Sequence, residues 1–551
     1  MATEKQAEYD VIIVGIGGLC AAKTYLELDA DARLLILESR ATLGGVWAEQ
    51  NLYEGLKTNN LYGTYEYSDF PMDARYGVKE GQHIPGAVLY RYLTDYAEHF
   101  QLTKRLRLRM EVFEVEKLGD GWNLTTSTED GKDCTLRTRK LIMCCENFDK
   151  PVFNHGALRD QAEALAREPN VKDVTVVGAS KIGYDAVYLF ANDGKKVDWV
   201  IRKSGGGAVW MSQPWVKLGP WTVMLEHVAC MRFFSWFSPC IWGDYDGFGW
   251  IRGFLNRTRI GRWLMDGLWE RVRFDVIDTA GYRKEKALEH LEPLESLFWT
   301  ARVGIHNYAS DHHELIRSGK VELHHKDIAH LSPGGTVAFD DGSTRHTDAV
   351  VAITGWQLDP AIKYKPDGTD ASLGIPSRSY TKSELELWAH RDDEADEGIL
   401  RQFPRLADPP KRKLPFTQTI TPFRMYRGIA PPGLTAEGDR SLAFLKMVHC
   451  TSNMVLAETQ ALWAFAYLNN KLDIDEPDVY RQTSLSSRFE FVYDAISYAD
   501  MLLSDLGLQK HRKSSWWKER FEGYTIHDYK GLIDEWQATQ TVPEAGEKKL
   551  L

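Results

Sequence analysis

Two short glycine-bearing stretches carry the clearest chemical potential in this chain. Residues 11–23 read VIIVGIGGLCAAK, an apolar β-branched run that ends in Gly15, Gly17 and Gly18 and passes into a helix-forming segment. Residues 171–184 read VKDVTVVGASKIGY and repeat the pattern, with Gly178, Ser180 and Gly183 after the run. Glycines between a strand and a helix let backbone N–H groups approach a pyrophosphate, and the helix N-terminus favours the anion. The strand after each unit ends in a group suited to a ribose: Glu38 closes ARLLILE, and Arg202-Lys203 closes KVDWVIRK. A carboxylate takes ribose hydroxyls, whereas a guanidinium grips a 2′-phosphate bidentately and so favours NADPH over NADH. One glycine motif is weak evidence. Two, each with its own ribose or phosphate group, predict two nucleotides.

Each stretch needs a β-α-β unit to position it. In the first, YDVIIVG is the strand, Leu19 to about Asp29 the helix, and residues 32–38 the second strand. In the second, the helix runs to Asn192 and the next strand occupies 196–203. The second unit keeps the full G-x-x-x-x-G spacing, with serine in the middle glycine's place; the first does not. With no residues missing, Cys20 takes the third glycine's place and Thr24 stands four residues on. With two residues missing from the turn, Gly18 is the third glycine and Ala22 stands four on. Close helix–strand packing wants small residues at both places, which favours Gly18 and Ala22.

Two hairpins follow the same order. WNLTTSTEDGKDCTLRTRKLIMCCEN (122–147) and TVAFDDGSTRHTDAVVAITGW (336–356) each pair alternating strands across an Asp-Gly turn and end in an apolar strand. The expected fold is α/β, with two dinucleotide-binding, Rossmann-like domains, the second inserted into the first. The expected boundaries are 1–165 and 331–472 for the two parts of the first domain, 166–330 for the second, and 473–551 for a helical C-terminal extension.

Composition narrows the class. With 551 residues, 43% hydrophobic and 26% charged, the chain is an ordinary multidomain globular protein. Its net charge of −11 argues against a general nucleic-acid binder. The N-terminus MATEKQAEYD has no apolar leader, and seven cysteines form no CxxC pair, so a cytoplasmic protein with reduced thiols is expected. An aromatic-rich insertion spans about 205–300. Its most apolar stretch, 221–243, is interrupted by Glu226, His227 and Arg232 and does not read as a spanning helix. A buried interdomain helix is the favoured reading there; a membrane-surface contact and the wall of an apolar pocket are the alternatives.

With Glu38 followed by ESRATLGGVW (38–47) and YEGLKTNNLYGTYEYSDFPM (53–72), the chain resembles the flavin-containing (class B) monooxygenases, in a fungal secondary-metabolism-type branch. The resemblance implies FAD with its ribose on Glu38, its pyrophosphate at Gly15, Gly17 and Gly18, and Gly44, Gly45, Val46 and Trp47 along the flavin. It implies that Asn59, between Thr58 and Asn60, is the catalytic residue beside the reactive flavin carbon; read alone, Asn59 is a turn or cap residue. It further implies NADPH at Gly178, Ser180, Gly183, Arg202 and Lys203, and a return to the FAD domain through AITGW, with Thr354 and Gly355. The segment 456–468 resembles the helix that packs beside the flavin. The activity implied is NADPH- and O₂-dependent oxygenation of a small apolar substrate through a C4a-(hydro)peroxyflavin, with no metal.

Three departures stand against the family pattern. The first is the glycine turn. In the second, Cys144-Cys145-Glu146 replaces an Ala-Thr-Gly strand end. The third is that 150–161 keeps only Phe153 and His155 of a Baeyer–Villiger signature, in the wrong spacing. They leave a non-catalytic or FAD-deficient relative as the alternative from another class. A flavin disulfide reductase fits poorly, because no suitably spaced cysteine pair is present.

Overall fold

The computed structural model describes residues 8–128, 130–144, 163–218, 220–300, 302–353, 355, 360–410, 420–476, 479–480, 483 and 489–541. Strand β1 (Glu8–Val14), helix α1 (Leu19–Leu28) and strand β2 (Leu34–Leu37) form the first unit. Continuous Val, Ile and Leu runs suit strands covered on both faces, and Val11, Ile12, Ile13 and Ile36 are fully enclosed. β1 lies parallel to β2 on one side and to Asp133–Met143 on the other. The sheet continues through Gly121–Thr128, Met110–Leu118 and Lys363–Lys365, with Leu106–Arg107 at the opposite edge. Strand β3 (Lys57–Leu61) lies outside this sheet, paired with His83–Pro85.

The second unit is strand β4 (Asp173–Val177), helix α2 (Lys181–Asn192) and strand β5 (Lys196–Val200). Its four-stranded parallel sheet runs Val321–His324, β5, β4, Ala349–Ala352. The second hairpin therefore feeds its apolar strand into this second sheet, with Val337 and Phe339 buried against Val177 and Val200. That moves the boundary expected at 331. The chain rejoins the first sheet only at Lys363–Lys365 and at Leu442–Phe444, which pairs in parallel with Asp133–Met143. The topology is one Rossmann-like domain inserted into another.

The apolar stretch 221–243 does not form one helix. Trp221–Met224 is a strand paired with Trp215–Leu218, and two short helices, Leu225–Ala229 and Arg232–Ser235, follow. The C-terminal extension breaks the run: Tyr524 N–H donates to Cys230 O, and a Cβ on Gly523 would meet His227 O at 2.4 Å. Helices α3 (Gly249–Arg257) and α4 (Arg259–Ala280) complete the insertion. After strand β6 (Leu442–Phe444), helix α5 (Asn453–Leu468) is buried on nearly every side, and its Phe465 ring meets Tyr25 of α1 edge-on at 4.9 Å. The extension contributes α6 (Ala495–Asp505) and α7 (Trp516–Phe521). Among the described residues, no helix is long and apolar enough to cross a membrane.

Candidate functional site

At the first glycine turn the chain leaves β1 through Gly15, at φ 94°, and enters α1 through a single tight turn, Ile16–Gly18. A Cβ on Gly18 would stand 2.3 Å from Ile13 Cγ2 and 3.0 Å from Cys144 Sγ. The helix presses on the strand at Gly18, where only glycine fits. Ala22, four residues on, is fully buried. Cys20 is also buried, and burial pushes its thiol well up, with the Glu458 carboxylate of α5 adding to the effect. In the second turn a Cβ on Gly183 would stand 2.4 Å from Gly178 O. Gly183 follows Gly178 by five positions, whereas Gly18 follows Gly15 by three. The first turn makes its close contact two residues sooner.

The short turn spends its own donors. Gly15 N–H donates to Leu37 O at 2.8 Å and Gly18 N–H to Gly15 O at 3.1 Å. Ile16 N–H donates to Glu38 Oε2 at 3.1 Å, and the same carboxylate accepts from Arg40 N–H at 2.9 Å and Ser39 Oγ at 3.3 Å. Glu38, buried at the end of β2, is thereby fixed at the mouth of the turn. Gly44 (φ 116°) and Gly45 (φ 61°) fold the next segment back over it, so that a Cβ on Gly45 would come within 3.3 Å of Ile16 Cγ2. Val46 beyond them is 61% exposed, and the Trp47 ring lies edge-on to Tyr65 at 6.5 Å.

At the second turn Gly178 has φ 113°, and a Cβ there would meet Ile353 O at 2.2 Å. Ile353 thus lies against this turn, and Gly355 is also at φ 113°; Thr354, Cys145, Glu146, Phe153 and His155 lie outside the described residues. Ser180 caps the N-terminal end of α2 without spending its hydroxyl on the helix. Arg202 is half-buried and has no acidic partner among the described residues. Lys203 is paired with Asp340 at 3.2 Å, so Arg202 is the freer of the two cations for a phosphate.

The second turn is tied to β3. Lys181 at the start of α2 donates to Asn307 Oδ1 at 2.9 Å, and Asn307 Nδ2 donates to the carbonyls of Lys57 (3.2 Å) and Thr58 (3.4 Å). Thr58 Oγ1 donates to Asn60 O at 2.6 Å and accepts from Ile84 N–H at 3.0 Å, which stiffens the strand. Side chains alternate across a strand. Asn59 is exposed, while Asn60 is half-buried and donates to Glu226 Oε1 at 2.7 Å and to Thr451 O at 3.4 Å. Thr64 Oγ1 donates to Glu226 Oε2 at 2.6 Å. Burial pushes the Glu226 carboxyl up to about 7, against the two hydrogen bonds that lower it. Glu226 and Asn307 carry no motif. Glu226 is a polar residue amid the insertion's apolar and aromatic neighbours, and in the sequence it showed only as an interruption of the apolar stretch 221–243.

The comparisons with known proteins follow this geometry. A family model for pyridine nucleotide-disulphide oxidoreductases matches residues 67–228. The FAD-dependent monooxygenase rstn6 of Aspergillus nomiae is 30% identical, over 97% of this chain and 99% of its own length. The chain belongs to the FAD-dependent monooxygenases. The DEP4 monooxygenase of Fusarium langsethiae is likewise 30% identical, over 97% and 95% of the two chains. Among solved structures, an open form of cyclohexanone monooxygenase shares the fold with a TM-score of 0.54, at 14% identity over 91% of this chain and 99% of that one. Cys20, Cys134, Cys230, Cys240 and Cys450 of this monooxygenase are free thiols.

Proposed function

We propose that this monooxygenase binds FAD at the first glycine turn and NADPH at the second, and uses O₂ to oxygenate a small apolar substrate beside β3. The observation that carries the reading is the bridge Lys181–Asn307–Lys57/Thr58, which holds the α2 end of one nucleotide turn against the strand that bears Asn59. A nucleotide turn held against the strand that bears Asn59 suits a hydride donor placed beside its acceptor. Relatives named FAD-dependent monooxygenases, and a neighbour of the same fold solved with FAD and NADP, support the same pair.

The residues present fit FAD. Gly18 lets α1 press on β1 where a Cβ would clash, Glu38 stands at the end of β2, and Gly45 brings its backbone over the turn. Bound FAD would supply hydride acceptance and oxygen activation. The chain's own part is positioning. Glu38 orients the ribose, Gly17 N–H faces the pyrophosphate, and Arg202 selects the 2′-phosphate. Asn59, exposed on the face opposite Glu226, offers a neutral amide toward the flavin side, while Thr58 and Asn60 hold its backbone still.

NADPH-driven oxygen uptake by the full chain tests the proposal. Arg202→Ala is expected to raise the KM for NADPH by about tenfold or more, the loss of one charge-assisted pair, and to leave the KM for NADH unchanged. Equal effects on both nucleotides would contradict the assignment of Arg202, and no uptake with either would contradict the oxygenase reading.

A further inference from the structure

Lys446 follows β6 with φ 64°, a left-handed backbone that a lysine adopts only where its surroundings hold it. The hold is visible: Lys446 N–H donates to Gln460 Oε1 at 3.3 Å, and Gln460 Nε2 donates to Tyr498 OH at 3.0 Å, both partners buried. This geometry throws the side chain across the first glycine turn. A Cβ on Gly17 would meet Lys446 Nζ and Cδ at 2.7 Å. Lys446 is exposed and has no acidic partner among the described residues. Beneath it, the N–H groups of Gly15, Ile16 and Gly18 are spent inside the protein, and Gly17 N–H alone has no acceptor among the described residues. A turn that normally cradles phosphate with several N–H groups has one left, and an ammonium stands over it.

We infer that Lys446 is a pyrophosphate-binding residue of the FAD site, supplying as charge what the shortened turn no longer supplies as N–H donors. The inference rests on the FAD reading above. A lysine ammonium suits this task because it is a point charge on a flexible stem and can follow the phosphates as they seat. The ligand is the diphosphate of a dinucleotide, so the contact is blind to the flavin ring. The test is FAD and riboflavin affinity of the deflavinated full chain, by flavin fluorescence at two salt concentrations, with Lys446→Met, Lys446→Arg and Lys446→Gly. The expected result is FAD binding weakened about tenfold or more in Lys446→Met, with a shallower salt dependence, substantial recovery in Lys446→Arg, and riboflavin binding unchanged. FAD binding unchanged in Lys446→Met, or tightened in Lys446→Gly, would overturn the inference, because the side chain would then be neutral or an obstruction. A wild-type chain that binds neither flavin would overturn the FAD reading and this inference with it.

A second observation stands independently, on the insertion. Trp250 (74% exposed) at the start of α3 and Ile260 (66%) and Trp263 (71%) at the start of α4 stand exposed on two helices that Gly261 lets touch: a Cβ there would meet Phe254 O at 2.1 Å. Arg257, Arg259 and Arg262 flank Ile260 and Trp263 in the chain, exposed and without acidic partners among the described residues. The first acid on α4, Asp266, is taken by Arg405. Tryptophan and arginine side by side on an amphipathic hairpin suit the headgroup layer of a bilayer. A twofold contact with a second copy would set these arginines against one another, despite a chain charge of −11. We propose that this face docks on an anionic lipid surface, a site displaced from the 221–243 stretch singled out in the sequence. Co-sedimentation of the full chain with phosphatidylcholine vesicles, with and without phosphatidylserine, tests it. Binding is expected with phosphatidylserine, falling about a hundredfold in the triple Arg→Gln variant and lost in Trp250→Ser/Trp263→Ser. Absence of binding to phosphatidylserine vesicles, or a concentration-dependent dimer abolished by the same Trp variants, would overturn it.

Discussion

Gly18 and Cys20 differ in what their side chains would have to displace. A methyl group on Gly18 would collide with Ile13 and Cys144, whereas Cys20 packs in the core beneath α5. Gly18→Ala is expected to cost about 1–3 kcal/mol by overpacking and Cys20→Ala less, as read by chemical denaturation. Equal losses would return the third small position to Cys20. Glu226 gives a pH signature. Its carboxyl, ordinarily near 4.5, is raised to about 7 by burial, so the folded state holds its proton longer than the unfolded chain. That contribution is fully present below about pH 4.5 and is lost as pH rises through about 7. The wild-type melting temperature is therefore expected to fall by roughly a few degrees between about pH 5 and pH 8, and Glu226→Gln to flatten that fall. At this scale the sequence was half legible. The glycines and Glu38 announce themselves by spacing, and Asn59 only through the family resemblance of its flanking segments; the partner of Asn60 lies in another domain, and no spacing encodes it.

Elements in this protein are legible where burial is continuous. β1, β2, β4 and β5 are apolar runs enclosed on both faces, and their strand character follows from that alone. The insertion misled because its apolar stretch is built around buried charge. Arg232, fully enclosed, donates from Nε to Glu519 at 2.9 Å, reaches Asp500 and donates to Tyr524 OH at 3.2 Å. Arg252 donates from Nη1 to both oxygens of Asp246, at 2.8 and 2.9 Å. The partners of Arg232 lie in the C-terminal extension, far along the chain, so this cluster bolts the insertion to α6 and α7. Removing one member leaves a buried charge unpaired, at a cost of about 3–5 kcal/mol. Arg232→Met is expected to expose the C-terminal extension to limited proteolysis, whereas exchanging the exposed Trp516 for Ser is expected to change nothing. Equal protease resistance in wild type and Arg232→Met would show that the aromatic contacts suffice.

The whole molecule is built on a mixed sheet and a four-stranded parallel sheet, and the second glycine turn is linked to β3. The order of motifs along the chain made the inserted-domain architecture readable, because strand–turn–helix units and Asp-Gly hairpins recur in the same sequence twice. The point of return was misread, since a hairpin beside the second sheet has the same pattern as one beside the first. Lys446 was not readable at all; its role depends on a left-handed backbone and on Gln460, neither of which leaves a local trace. The central claim is that this chain, with its shortened turn, still holds a flavin that NADPH reduces and oxygen restores. The most direct measurement is the visible spectrum of the purified full chain. The account predicts near-stoichiometric flavin bands, bleached under anaerobic conditions faster by NADPH than by NADH and regained on admission of air. A colourless protein that takes up no added FAD, or a flavin that NADPH leaves oxidised, would contradict it.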